Sequence, residues 1–241
     1  MKAVIIGATS GIGESLIENL LNAGYDVGLT GRRYERLVAL KEEFEKKVKG
    51  KIFIQSMDVC KTEEARAGFL ELIEKMGGLD LVIINAGVGS YSSKWESEVN
   101  IIQTNVMGFC AIAHAAFNFF ADQNSGHLVG VSSVASVVGG AKSPAYNASK
   151  AFISNYMNGL IKKAYRKNLN IAVTDIRPGY VKTPLTEKNR SMFWVSTTEK
   201  AARQIMVAIK RKQKIAYITK RWWFAAFLLR NLPDKLLAKM G

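Results

Sequence analysis

The chain has 241 residues, of which 48% are hydrophobic, and this suffices for one large domain. The two cysteines, Cys60 and Cys110, are too few for a disulfide framework, and neither lies in a metal-ligand pattern. We therefore expect a reducing, cytoplasmic setting and no metal. The first apolar run breaks at Gly7, which favours a first strand over a signal peptide.

The charge is strongly uneven along the chain. The net charge is +14, but residues 1–161 hold 15 basic and 16 acidic side chains, whereas residues 162–241 hold 19 basic and 4 acidic. An excess of this kind is compatible with an anionic membrane surface, a nucleic acid, an acidic substrate or a solvated face. No nucleic-acid-binding module accompanies it, so we predict no nucleic-acid partner.

Short β-rich runs alternate with amphipathic stretches. The strand candidates are KAVII (2–6), YDVGLT (25–30), KIFIQSM (51–57), LDLVIIN (79–85), GHLVGVS (126–132), LNIAVTDI (169–176) and KIAYIT (214–219). Near-continuous Val, Ile and Leu in strands that alternate with helices is typical of a parallel sheet covered on both faces. We predict a single-domain α/β fold, Rossmann-like and doubly wound, with a seven-stranded parallel sheet. Residues 1–219 would form the domain and 220–241 a basic amphipathic tail.

A glycine-rich turn follows the first strand and opens a helix. Its residues are Gly7, Ala8, Thr9, Ser10, Gly11, Ile12 and Gly13. Glycines let the backbone approach a pyrophosphate, and the helix N-terminus supplies free N–H groups. The spacing departs from G-x-G-x-x-G, so the turn alone is equally compatible with a tight strand-to-helix connection.

The end of the second strand bears on the choice of cofactor. A carboxylate there would bind the ribose 2′-hydroxyl of NAD, whereas arginine accepts the 2′-phosphate of NADP. The strand ends at Arg32 and Arg33, which favours NADP. Glu35 lies close by, but we expect it to begin the next helix, where a carboxylate stabilises the dipole.

Tyr146 and Lys150 lie four residues apart at the start of a predicted helix, so both point from one face. A nearby ammonium lowers the pKa of a phenol, so the pair is suited to proton transfer. The neighbouring serines, Ser132 and Ser133, close the fifth strand. Strand alternation lets only one of them face the pocket, and the spacing to Tyr146 favours Ser133.

The order and spacing of these motifs resemble the short-chain dehydrogenase/reductase superfamily, from residue 1 to about 218. The matching positions are Gly7 to Gly13, Asp58, Val59, Asn85, Ala86, Gly87, Asn105, Ser133, Tyr146, Lys150, Arg177, Pro178, Gly179 and Thr183. Two positions depart from the family pattern, since Ile6 replaces the usual Thr and Ile84 replaces a common second Asn.

The resemblance implies roles for these residues. Tyr146 would exchange a proton with the substrate oxygen, and Ser133 would hydrogen-bond that oxygen. Lys150 would bind the nicotinamide ribose and lower the pKa of Tyr146, and Asn105 would hold a water that links Lys150 to solvent. NADP(H) would be bound by Gly7, Thr9, Ser10, Gly11, Ile12, Gly13, Arg32, Arg33, Asp58, Val59, Asn85, Ala86, Gly87, Tyr146, Lys150, Pro178, Gly179, Val181 and Thr183.

The segment after the Pro-Gly motif covers the substrate in this superfamily, and here it is short, about 184–196. Its apolar residues, 192–195, suggest a partly apolar carbonyl or alcohol substrate, or alternatively an anchor of the lid to the core. The tail contains eight consecutive apolar residues, 222–229, far below the ~20 needed to span a bilayer. It resembles an interfacial segment for anionic lipid, with packing on a neighbouring subunit or closure of the pocket as alternatives.

The sequence thus predicts a cytoplasmic NADP(H)-dependent oxidoreductase, with possible contact to a membrane surface through 220–241. The resemblance also implies a homodimer or homotetramer. A catalytically silent, NADP-binding regulatory protein on the same fold is the alternative.

Overall fold

A computed structural model gives the fold and describes residues 1–92, 94–187, 189, 191–233 and 236–237. The strands are β1 (Lys2–Ile6), β2 (Asp26–Gly31), β3 (Ile52–Ser56), β4 (Leu81–Ile84), β5 (Gly126–Val131), β6 (Ile171–Pro178) and β7 (Ile215–Ile218). The helices are α1 (Gly11–Asn22), α2 (Tyr34–Lys47), α3 (Thr62–Met76), α4 (Trp95–Ile102), α5 (Phe109–Asp122), α6 (Pro144–Arg166), α7 (Thr198–Lys210) and α8 (Arg221–Asn231). A π-helical segment, Gln103–Gly108, joins α4 to α5.

Across the described residues, seven strands form one parallel sheet in the order β3-β2-β1-β4-β5-β6-β7. This confirms the predicted fold class. The strand order reverses between β1 and β4, so the chain leaves these neighbouring strands in opposite directions. That divergence opens a crevice at their carboxyl ends, which is the usual ligand-binding position in such sheets.

The sheet divides the hydrophobic core. Ala3 and Ile5 of β1 face α1, α2 and α7, whereas Val4 and Ile6 face α3, α5 and α6. Successive strand residues point to opposite faces, and both faces are buried, so apolar residues occupy every position of this strand. Ile6 and Ile84, the two departures from the family pattern, are buried in the second of these cores.

Among the described residues, one helical stretch is long and apolar enough to cross a membrane by length and composition. It runs over Trp95–Asp122, and 56% of its most apolar window is buried inside the fold. Phe109, Phe117 and Phe120 are almost fully buried in the core beside α3 and α6. The stretch is therefore a core helix of this domain.

Candidate active site

The glycine-rich turn joins β1 to α1 at the crevice. Gly7 has a φ of +85°, in the left-handed region that favours glycine. A Cβ on Gly13 would lie 2.1 Å from the carbonyl oxygen of Gly7, so α1 can begin this close to the turn only with glycine there. Asn85 Nδ2 donates to the same oxygen at 2.9 Å. The turn thus holds the start of α1 beside the crevice, where its free N–H groups can bind a phosphate.

Two adjoining clefts form a groove along the carboxyl ends of the strands. The β2 cleft, about 810 Å³, is lined by residues that include Gly7, Thr9, Arg32, Arg33, Asp58, Val59 and Ala86. The α6 cleft, about 700 Å³, is lined by residues that include Gly11, Ile12, Ser133, Tyr146, Lys150, Pro178, Gly179, Val181 and Thr183. Ser10, Asn85 and Gly87 line both clefts. The structure thus brings the residues predicted for the cofactor and the chemistry into one groove, with Gly13 packed against Gly7.

The two arginines at the end of β2 differ in their surroundings. Arg33 Nη2 donates to the carbonyl oxygen of Thr9 at 3.0 Å and to Thr9 Oγ1 at 2.9 Å, which ties it to the glycine turn. Arg32 is exposed at the edge of the β2 cleft and makes no hydrogen bond or ion pair with the described residues. Glu35 lies in the first turn of α2, as predicted. Arg32 is therefore the side chain that is better placed to bind an added phosphate.

Ser133, Tyr146 and Lys150 converge at the α6 cleft. Pro144 at the start of α6 fixes the helix entry, and the four-residue spacing places Lys150 Nζ 5.8 Å from the centre of the Tyr146 ring. The Lys150 ammonium donates to the carbonyl oxygen of Val131 at 3.1 Å. Ser133 Oγ accepts from the backbone N–H of Ala135 at 3.0 Å, which orients it at the end of β5. A phenol, a hydroxyl and an ammonium thus share one cleft.

Burial sets the pKa values of this group. It raises the pKa of Tyr146 to about 12, although the neighbouring Ser133 hydroxyl acts in the opposite direction. It also lowers the pKa of Lys150 to about 8, against the attraction of the Asp175 carboxylate. The Lys150 ammonium bonds to Val131, and its lowering of the Tyr146 pKa, which the resemblance implies, stays a prediction.

Asn105 lies behind the cleft and is fully buried. Its Oδ1 accepts from the N–H of Val88 at 2.8 Å, and its Nδ2 donates to the Val88 carbonyl at 2.8 Å and to Ser149 Oγ at 3.0 Å. The side chain therefore holds the loop after β4 against α6. The water that the resemblance assigns to Asn105, as a link between Lys150 and solvent, stays a prediction.

A buried polar network behind the cleft escaped the sequence analysis. Asp175 Oδ2 accepts from Arg177 Nε and from Ser154 Oγ, each at 2.7 Å, and Oδ1 accepts from Ser132 Oγ. Arg177 Nη1 also donates to Tyr217 Oη at 3.0 Å. The network joins β5, α6, β6 and β7 next to Ser133 and Lys150. The sequence does contain a signal for this network, because two charged residues, Asp175 and Arg177, lie two positions apart in an otherwise apolar strand.

The lid contacts the tail. Phe193 and Trp194 pack on Trp222 of α8, with ring centres 5.1 and 5.7 Å away, and Tyr180 packs on the same indole at 5.5 Å. A Cβ on Gly179 would lie 2.0 Å from this indole, so the Pro-Gly motif passes directly beneath it.

The lid residues that line the α6 cleft are Pro184, Leu185 and Thr186, rather than the apolar residues 192–195. Of the two alternatives, the anchoring one is therefore supported for Phe193 and Trp194. Lys188 and Arg190 of the lid lie outside the described residues, as does most of the chain after Pro233.

Comparisons with known proteins agree with this geometry. Residues 1–193 match the family model for short chain dehydrogenases. An uncharacterised oxidoreductase of Mycobacterium tuberculosis is 34% identical over 250 residues, which cover 100% of this chain and 97% of that protein. An uncharacterised oxidoreductase of Myxococcus xanthus is 38% identical over 193 residues, 78% of this chain and 74% of that protein.

Solved structures share the fold. A short chain dehydrogenase/reductase from Burkholderia phymatum in complex with NAD has a TM-score of 0.85 at 19% identity, with 94% of this chain and 92% of that chain covered. A short-chain dehydrogenase from Sphingobium yanoikuyae in complex with NADPH has a TM-score of 0.81 at 20% identity, with 97% of both chains covered. At these identities the likeness concerns the fold alone.

Proposed function

Because the chain belongs to the short chain dehydrogenase family, we propose that it is an NADP(H)-dependent oxidoreductase that reduces a carbonyl, or oxidises the corresponding alcohol, in a partly apolar small molecule. The observation that carries the proposal is the convergence of Ser133, Tyr146 and Lys150 on a cleft continuous with the glycine-rich turn. These residues supply a proton, a hydrogen-bond donor and a cation beside a phosphate-binding helix end.

The groove fits an extended dinucleotide. The close approach of Gly13 to Gly7 leaves no room for a side chain at residue 13, which suits a backbone cradle for a pyrophosphate. Asp58 and Val59 would contact the adenine at one end, and Lys150 and Thr183 would hold the nicotinamide half at the other. When bound, the nicotinamide supplies or accepts the hydride, and the protein supplies position and electrostatics.

The residues of the α6 cleft bind and protonate the substrate oxygen. The phenol of Tyr146 is protonated at neutral pH, so Tyr146 can give its proton to the oxygen as negative charge develops there. The Ser133 hydroxyl donates a hydrogen bond to the same oxygen and stabilises that charge. Lys150 keeps a positive charge nearby.

The preference for NADP(H) rests on Arg32. Its guanidinium is free among the described residues, and the tip of β2 carries no carboxylate that would repel a 2′-phosphate. The neighbours differ on this point, since one was solved with NADPH and another with NAD. A silent regulatory role is not favoured, because the residues for proton transfer line the cleft. A homodimer or homotetramer and a cytoplasmic location stay predictions.

The test is an assay of nicotinamide absorbance with a panel of ketones, aldehydes and alcohols, each with NADPH or NADH and the oxidised forms. We expect turnover with NADP(H) and an apolar carbonyl. Tyr146→Phe should lose turnover and still bind NADPH, because it removes only the ionisable hydroxyl. Turnover that survives in Tyr146→Phe, or the lack of any nicotinamide binding by the wild type, would contradict the proposal.

A further inference from the structure

Helix α8 is apolar on the side that faces away from the protein. Trp222 and Ala226 are buried against the domain. Trp223, Phe224, Phe227 and Leu228 are between 47% and 59% exposed, and at about 100° per residue they share the opposite arc of the helix. Trp223 and Phe227 stack on each other with ring centres 6.0 Å apart. We call these four side chains the outer face of α8.

An outer face of this composition is unusual for a surface helix. Surface helices carry polar residues away from the core, and a helix that is apolar all round is normally buried or in a membrane. Clustered exposed aromatic side chains mark an interaction site more often than scattered ones do. The described residues thus leave the outer face of α8 as an apolar surface in contact with solvent.

The outer face is fixed to the substrate lid. Trp222, on the inner side of the helix, packs on Phe193 and Trp194. Arg221 Nη2 donates to the Trp194 carbonyl at 2.7 Å, and the guanidinium lies 5.3 Å from the Trp194 ring. Phe193 and Trp194 are themselves half exposed, so they extend the apolar surface towards the lid. Leu185 of the same lid lines the α6 cleft.

The charges around the outer face favour an anionic occupant. Lys220 and Arg221 begin the helix, Arg230 lies near its end, and exposed Lys182 adjoins the lid. Glu187 is the acidic residue of the lid. Residues 200–241 hold eleven basic side chains and one acidic. Docking of a second copy through the same surface would bring these cations together, whereas a bilayer of anionic lipid would attract them.

We propose that the outer face of α8 docks on an anionic membrane surface and that the enzyme takes apolar carbonyl substrates from the bilayer past the lid. Eleven residues of helix span about 16 Å, too short to cross the hydrocarbon, so α8 lies in the plane of the interface. Tryptophan next to Lys and Arg is typical of that position. Membrane docking rests on the outer face alone, and the substrate class rests also on the proposed function.

The test of docking uses the full chain and vesicles of phosphatidylcholine, with or without phosphatidylglycerol. We expect co-sedimentation with the anionic vesicles, weakened by salt. The double variant Trp223→Ser and Phe227→Ser should bind at least roughly tenfold more weakly. Trp95→Ser with Tyr165→Ser, which changes two aromatic residues exposed elsewhere, should bind like the wild type. These exposed sites leave the core intact, so all variants should keep activity on a water-soluble carbonyl.

Several results would overturn docking. Equal binding by the wild type and the outer-face variant would exclude this face, and equal binding to neutral vesicles would exclude the charge argument. If the wild type is a dimer, the outer-face variant is a monomer and neither protein binds vesicles, the occupant of the outer face is a second copy of the chain. Vesicle binding without reduction of any carbonyl would support docking and contradict the proposed function.

The substrate class has its own test. The wild type should reduce an apolar ketone in vesicles faster than the outer-face variant does, and equal rates would overturn the proposal that substrates come from the bilayer.

Discussion

The Ser132 hydroxyl donates a hydrogen bond to the buried carboxylate of Asp175, while the adjacent Ser133 faces the α6 cleft. Because of this bond, the two consecutive serines have different roles. Ser132 is 2% exposed and belongs to the network that joins the strands. Ser133 keeps a hydroxyl beside Tyr146.

The first prediction separates the two serines. Ser133→Ala should lower kcat by roughly 100-fold or more, because it removes a donor to the developing oxyanion, and should cost about 0.5–2 kcal/mol of stability, because it removes the acceptor for the Ala135 N–H. Ser132→Ala should destabilise the fold by about 1–3 kcal/mol, because it leaves one oxygen of a buried carboxylate unsatisfied. Steady-state kinetics and urea denaturation measure both effects. Equal kinetic losses without loss of stability would contradict the assignment.

The second prediction concerns Asp175 as a positioning residue. Burial lowers the pKa of Lys150 to about 8, and the attraction of the Asp175 carboxylate keeps it from falling further. Asp175→Asn removes this attraction, so the pKa of Lys150 should fall further and the alkaline limb of kcat/KM should move to lower pH. The groups that face Lys150 are Tyr146 on its own helix and Asp175 on β6. An unchanged pH profile in a folded variant would exclude the coupling.

Asp175→Asn also leaves the buried Arg177 without its ion partner, and this costs about 3–5 kcal/mol. Ser154→Ala keeps that ion pair while it removes another hydrogen bond to Asp175. It is the matched control. Ser154→Ala should lower stability, but it should move the alkaline limb of kcat/KM less than Asp175→Asn does.

The third prediction concerns the cofactor. Arg32→Ala should weaken NADPH binding by tenfold or more and NADH binding little, because a hydrogen bond to a charged group contributes about 1.5–3 kcal/mol and only NADPH carries the 2′-phosphate. Arg33→Ala removes the bonds to Thr9 that hold the turn, so it should weaken both cofactors. Fluorescence titration with each cofactor measures this. Comparable losses of both cofactors in Arg32→Ala would contradict its role.

The order of elements was predictable because the central strands bury both faces. Ala3, Val4, Ile5 and Ile6 are all fully buried, so the sequence shows an uninterrupted apolar run, and the helices between such runs leave a parallel sheet as the main possibility. The observed strand ends differ from the expected ones by up to two residues. Hydrogen bonding fixes these ends, and residue types define them only loosely.

The partners of the site residues were less predictable. Asn105 bonds to Val88 and Ser149 across 17 and 44 positions, and Asp175 bonds to Ser132 across 43. Such pairs follow from the strand order, which a linear pattern does not contain. In the sequence, Trp222 and Trp223 are two equivalent members of an apolar run. The structure distinguishes them, because Trp222 is buried against the lid and Trp223 is exposed.

The last prediction concerns stability in acid. His127 is buried on the interior strand β5 with Nε2 2.8 Å from Thr174 Oγ1, and burial lowers its pKa to about 4 from an ordinary 6.5. Between these pH values the unfolded chain binds a proton that the folded chain does not, so the free energy of unfolding falls as the pH falls from 6.5 towards 4. The contribution reaches about 3 kcal/mol at the lower end.

Urea denaturation at pH 7 and pH 4.5 measures this dependence. His127→Gln removes the titrating ring and should reduce the difference between the two pH values, although it can lower stability at both. His114→Gln is the matched control, because His114 is exposed on α5 and should leave the difference unchanged. The same pH difference in His127→Gln as in the wild type would show that groups other than His127 cause the acid sensitivity.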